Sequence, residues 1–120
     1  MKNYGVLKGQ ATPYRLAKLV GALINPSGDD PGGESVTVFN LSAGRLDVNG
    51  WQILDRNDKA EVLSGEIPHG EARTFRLSGK GAQLSNQGGT ISLLNAGGLK
   101  VDGVAYTKAD AAKQGTAVAF

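Results

Sequence analysis

Glu34-Ser35-Val36-Thr37-Val38-Phe39-Asn40-Leu41 alternates along its length, with Val36 and Val38 on one face and Thr37 between them. Period-two spacing and β-branched side chains suit a pleated, half-buried surface, so this stretch predicts a strand. The chain on its C-terminal side repeats the pattern in short pieces. Leu46-Asp47-Val48 and Trp51-Gln52-Ile53-Leu54-Asp55 are separated by Asn49-Gly50, a strong turn signal because both residues tolerate positive φ. Arg56-Asn57-Asp58-Lys59 makes the next polar turn before Ala60-Glu61-Val62-Leu63.

Ile67-Pro68-His69-Gly70-Glu71 is a further turn, with Pro68 presetting φ and Gly70 free to go left-handed. Arg73-Thr74-Phe75-Arg76-Leu77 alternates again, with Phe75 and Leu77 expected inward and the arginines outward. Thr90–Leu94 and Leu99–Tyr106 follow, joined through Ala96-Gly97-Gly98. Turn signals at this spacing predict a sandwich or barrel. Near the end, Thr107 and Asp110 have capping-box spacing and Gly115 can close a helix of little more than two turns. Thr116 to Phe120 reads as a last strand.

On the N-terminal side the reading divides. Thr12-Pro13 is a good helix start, and Leu16, Leu19, Val20, Leu23 and Ile24 share one helical face. The family resemblance given below favours a strand over Lys18–Ile24 instead. Residues 1–20 carry Lys2, Lys8, Arg15 and Lys18 with no acid, whereas the other residues hold nine basic and eleven acidic side chains. The net charge of +2 argues against nucleic acid as the partner.

The length of 120 residues fits one domain, and 18 scattered glycines without a period suit turns between strands. With no cysteine, disulfides and thiolate metal sites are excluded. No apolar run reaches the roughly 18–20 residues of a membrane-spanning helix. Met1-Lys2-Asn3 leads into glycines and lysines rather than a signal sequence, so a cytoplasmic location is expected if Met1 is the native start.

Several segments in order resemble the lamin-tail domain: Ile24-Asn25-Pro26 before an acidic glycine loop, Glu34–Asn40, Val48–Asp55 with its Gly50-Trp51, Leu84–Leu94, and Val101–Tyr106. The resemblance covers about Leu19 to Tyr106. It implies an immunoglobulin-like β-sandwich with Trp51 in the core, and a family associated with protein partners and, in nuclear lamins, chromatin. Asn3-Tyr4-Gly5-Val6-Leu7-Lys8-Gly9 and the tail from Val101 are similar to the ends of an uncharacterised bacterial family that carries a lamin-tail-like domain. The expected organisation is an N-terminal strand or arm, residues 1–17, and a sandwich domain, residues 18–120.

Asp29, Asp30 and Glu34 flank Pro31-Gly32-Gly33 and offer oxygen ligands to a hard cation such as calcium, although the same residues suit an ordinary polar turn. His69 is the single histidine and sits in a turn, with no serine or cysteine elbow beside it. Asp55 with Asp58, and Glu66 with Glu71, are carboxylate pairs at turns. Gly79-Lys80-Gly81 lacks the spacing of a phosphate loop. Neither a catalytic set nor a cofactor is expected. The short β-prone run Tyr4-Gly5-Val6-Leu7-Lys8, and within it Tyr4, Val6, Leu7 and Lys8, can pair with the sheet edge of another copy or fold back on its own domain. The expectation is therefore a non-catalytic sandwich that binds a protein partner. The alternatives are a structural subunit that self-assembles by N-terminal strand addition, and a calcium-dependent binding module.

Overall fold

In the computed structural model, residues 16–26 and 32–120 are described. Ten strands run in order: β1 (Ala17–Leu23), β2 (Ser35–Asn40), β3 (Leu46–Asp47), β4 (Gln52–Leu54), β5 (Ala60–Val62), β6 (Glu66–Ile67), β7 (Ala72–Arg76), β8 (Gly88–Leu94), β9 (Lys100–Thr107) and, after helix α1 (Lys108–Ala111), β10 (Val118–Ala119). They form two four-stranded antiparallel sheets, β10-β1-β2-β7 and β5-β4-β8-β9, with β3 and β6 as a small separate pair. This is an immunoglobulin-like β-sandwich: β1, β2 and β7 hold the A, B and E positions, and β4, β8 and β9 hold C, F and G. Val36 and Val38 of β2 meet Ile53, Ile91 and Leu93 from the second sheet in one apolar core, together with Trp51.

The N-terminal segment is a strand, as the resemblance implies, and its helix-like spacing has a structural cause. Ala17 and Leu19 point inward, and so do Ala22 and Ile24. The step from Leu19 to Ala22 is three residues because β1 carries a β-bulge between Leu19 and Gly21. A bulged strand thus leaves an i, i+3 signature in the sequence. Thr12-Pro13, the expected helix start, lies outside the described residues.

Two turns differ from expectation. Only Gly50 of Asn49-Gly50 has positive φ (80°), and Trp51 N–H donates to the Val48 carbonyl at 3.0 Å. This is a type II geometry, and it does not make a hairpin, since β3 pairs with β6 while β4 pairs with β5 and β8. Helix α1 is a single turn rather than two. Its capping box is complete, with Asp110 N–H on Thr107 Oγ1 at 3.1 Å and Thr107 N–H on Asp110 Oδ2 at 2.8 Å. It stops where Asn25 Nδ2 takes the Ala111 carbonyl and the Asn25 carbonyl accepts from Gly115 N–H, so side chain and backbone of Asn25 replace the next helical bonds. The tail then returns as β10 along β1.

Candidate functional site

Three segments that are distant in sequence converge on a cleft of about 510 Å³. Glu34, just before β2, comes from the first sheet. The β4–β5 turn supplies Asp55, Arg56, Asn57 and Lys59. The connection from β7 to β8, which crosses between the sheets, supplies Lys80, Gly81 and residues 83–86.

Asp55 builds the turn and ties it to the crossing connection. Its Oδ1 accepts from the N–H groups of Asn57 (2.8 Å) and Lys59 (3.0 Å), and its Oδ2 from Gln83 N–H (2.9 Å). Only 5% of Asp55 is exposed, so these bonds replace the hydration that burial removes. Glu34, 2% exposed, does the same from the opposite sheet: its Oε1 accepts from Leu84 N–H at 2.9 Å, and its backbone carbonyl from Leu77 N–H at 2.9 Å. The two carboxylates thereby hold the two sides of the connection.

Behind the cleft, the Tyr106 hydroxyl donates to the Ser85 carbonyl at 2.7 Å. Burial, with the Glu34 carboxylate adding to it, pushes the Tyr106 phenol up to about 12. Gly81 marks a close approach of backbones, since a Cβ there would lie 2.0 Å from the Ala60 carbonyl oxygen. Ser78 fastens the same connection to β5 through its N–H and hydroxyl, both donating to Glu61 Oε1. Arg56, Lys59 and Lys80 are exposed, and none of them forms an ion pair among the described residues. One Arg56 N–H donates to the Gly88 carbonyl at 3.3 Å.

A smaller groove of about 270 Å³ runs between the outer edges of β5 and β7. Here Arg73 is exposed, as expected, but not on the face opposite Phe75. It shares the face of Phe75, its guanidinium lies 5.1 Å from the Phe75 ring centroid, and its Nη1 donates to the Glu66 carbonyl at 3.1 Å. A cation on the core-facing side of an edge strand discourages pairing with another strand.

The other sequence candidates are separate. Asp29 and Asp30 lie outside the described residues, and so do Tyr4, Val6, Leu7 and Lys8. Among the described residues no three acidic or histidine side chains are grouped to hold a metal ion. His69 is exposed, with its Nδ1 donating to the Ser42 carbonyl at 2.7 Å. Asp58 is exposed at the turn tip, and Glu66 pairs with Arg45 at 3.4 Å. Gly79-Lys80-Gly81 belongs to the cleft as a crossing connection.

The sequence reading missed the buried roles of Glu34, Asp55 and Asn40. Asn40 is fully buried, donating to the Gly44 and Ile67 carbonyls and accepting from Ser42. Asp55 did carry a signal, for an Asp that opens a polar turn can accept the N–H groups ahead of it.

The fold and the cleft define a β-sandwich with a loop-built recess at the mouth between its sheets. No protein-family model matches the chain, and no curated protein matches it at a significant level.

Proposed function

We propose that this chain is a non-catalytic interaction module that binds a protein partner through the cleft end of the sandwich. The observation that carries the reading is the use made of Asp55. Three backbone N–H groups occupy its two oxygens, so the carboxylate organises the wall of the cleft. A general acid or base needs an oxygen within reach of a substrate proton, and Asp55 spends its oxygens on the turn and on Gln83. What faces solvent around the recess is Arg56, Asn57, Lys59, Lys80 and Gln83, side chains suited to recognition. Loops clustered at one end of a sandwich are a common place for such recognition. The lamin-tail resemblance points the same way, since that family is associated with protein partners.

The test is affinity capture with the full chain. A partner should be retained saturably and released by excess untagged chain. Retention that neither saturates nor competes would overturn the reading.

A further inference from the structure

We infer that the cleft takes an acidic segment of the partner, with aspartate or glutamate side chains seated among Arg56, Lys59 and Lys80. The inference rests on the interaction-module reading and adds the chemistry of the ligand.

Three observations converge. The first is supply of charge. Arg56 and Lys59 come from the β4–β5 turn and Lys80 from the crossing connection, so cations stand on both walls of one recess. None is neutralised by an ion pair among the described residues.

The second is that backbone amides hold the two acids of the recess in place. Asp55 accepts three N–H bonds, and Glu34 Oε1 accepts the amide of Leu84. Such bonds stabilise the carboxylates where they are and fix the walls that carry the cations. The Arg56 guanidinium gives one N–H to the Gly88 carbonyl, which anchors an otherwise exposed side chain.

The third is scale. About 510 Å³ lies within the range of roughly 300–1,000 Å³ typical of ligand recesses, enough for a few side chains and too small for a globular surface. Asn57 stands beside the cations and provides an amide group for the backbone of an extended peptide. Three cations on a chain of net charge +2 suit a short acidic stretch better than a continuous polyanion, which is held by a broad basic face.

The experiment is a nuclear magnetic resonance titration of the isotope-labelled full chain with a short oligoglutamate peptide, run beside oligoserine, inorganic phosphate and a single-stranded oligonucleotide. Oligoglutamate should give saturable amide shifts confined to residues 55–59 and 78–87, and oligoserine none. Affinity should fall about ten-fold in the Arg56→Gln/Lys59→Gln/Lys80→Gln variant, and rising salt should weaken it. Lys80→Glu, a single exposed change that keeps the fold, should give a loss in the same direction. Absence of shifts in the cleft would overturn the inference. Equal binding by the charge variants would do so too, as would tighter cleft binding by phosphate or the oligonucleotide. A captured partner that binds the triple variant undiminished would overturn the acidic-segment inference and leave the module reading standing. Failure of both proteins to capture a competable partner would overturn the module reading, while the peptide titration still decides the chemistry of the cleft.

Discussion

The backbone N–H of Leu19 in β1 donates to Asp102 Oδ2 in β9 at 2.7 Å, across 83 positions of sequence. Both strands are irregular there: β1 bulges just after Leu19, and β9 carries an extra residue, Val101, just before Asp102. β10 pairs only with Gly21 and Ala22 of β1, and beyond that pairing the carboxylate of the other sheet takes up the Leu19 N–H. The two sheets are thus joined along one side by a charged hydrogen bond as well as by apolar packing.

Replacing Asp102 with Ala should therefore destabilise the protein by about 1–3 kcal/mol, because the fully buried Leu19 loses its acceptor. Asp102→Asn, which keeps an acceptor oxygen, should cost less. Urea unfolding of both variants decides the point. Equal losses would mean that the charge, and not the bond to Leu19, is what matters.

The β4–β5 and β8–β9 turns are built alike. Asp55 and Asn95 each accept, through Oδ1, the N–H groups two and four residues ahead. The fourth residue of each turn is left-handed, Asp58 at φ 62° and Gly98 at φ 83°. Glycine takes that conformation without steric cost, so Asp58→Gly should stabilise by roughly 0.5–1 kcal/mol. Thermal unfolding measures it, and a lower midpoint would show that the Asp58 side chain contributes something the turn geometry does not explain.

Asp55→Ala removes the acceptor of three N–H groups at once and should cost about 3 kcal/mol or more. The damage should reach the crossing connection through Gln83. Hydrogen exchange should speed up at residues 78–87 as well as in the turn; faster exchange in the turn alone would contradict the link.

Tyr106 makes stability depend on alkaline pH. Its phenol is raised from 10.0 to about 12 in the fold, so the folded state holds the proton more tightly than the unfolded chain. The contribution is intact below pH 10 and is lost as pH rises from 10 towards 12, at no more than about 1.4 kcal/mol per pH unit. Tyr106→Phe should flatten the fall in melting temperature over that window. Ultraviolet titration of the wild type should show one of its three tyrosines ionising near 12.

Gly81→Ala places a Cβ 2.0 Å from the Ala60 carbonyl oxygen, and the connection must move away from β5. A loss of about 1–3 kcal/mol is expected. Gly44→Ala, with nothing within 4 Å of the added carbon, is the control and should be near neutral. Similar effects at both positions would rule out the close approach as the cause.

The strands were legible where alternation is regular. Val36 and Val38, Phe75 and Leu77, and the turn around Pro68 follow from side-chain period and turn chemistry, which are local properties. The capping box at Thr107 and Asp110 is equally local and formed as its spacing requires. The length of the helix was not legible, because Asn25, 86 positions away from Ala111, ends it.

The cleft was legible only in fragments. Asp55, Lys80 and Glu34 each stood in a segment that reads as an ordinary polar turn. Nothing in those segments tells that the β7–β8 connection crosses between the sheets and passes over Asp55 and Glu34.

By itself the sequence determined the all-β class, the positions of most turns and the apolar faces, since backbone preference and hydrophobic period act between near neighbours. Tertiary structure alone decided that the Leu19–Ala22 spacing is a bulge, that Arg73 lies over Phe75, and that Glu34 and Asp55 serve one connection. The reason is that a buried N–H or a buried carboxylate must find its partner wherever the packed sheets place one, and that place is fixed by the whole fold rather than by the residues alongside.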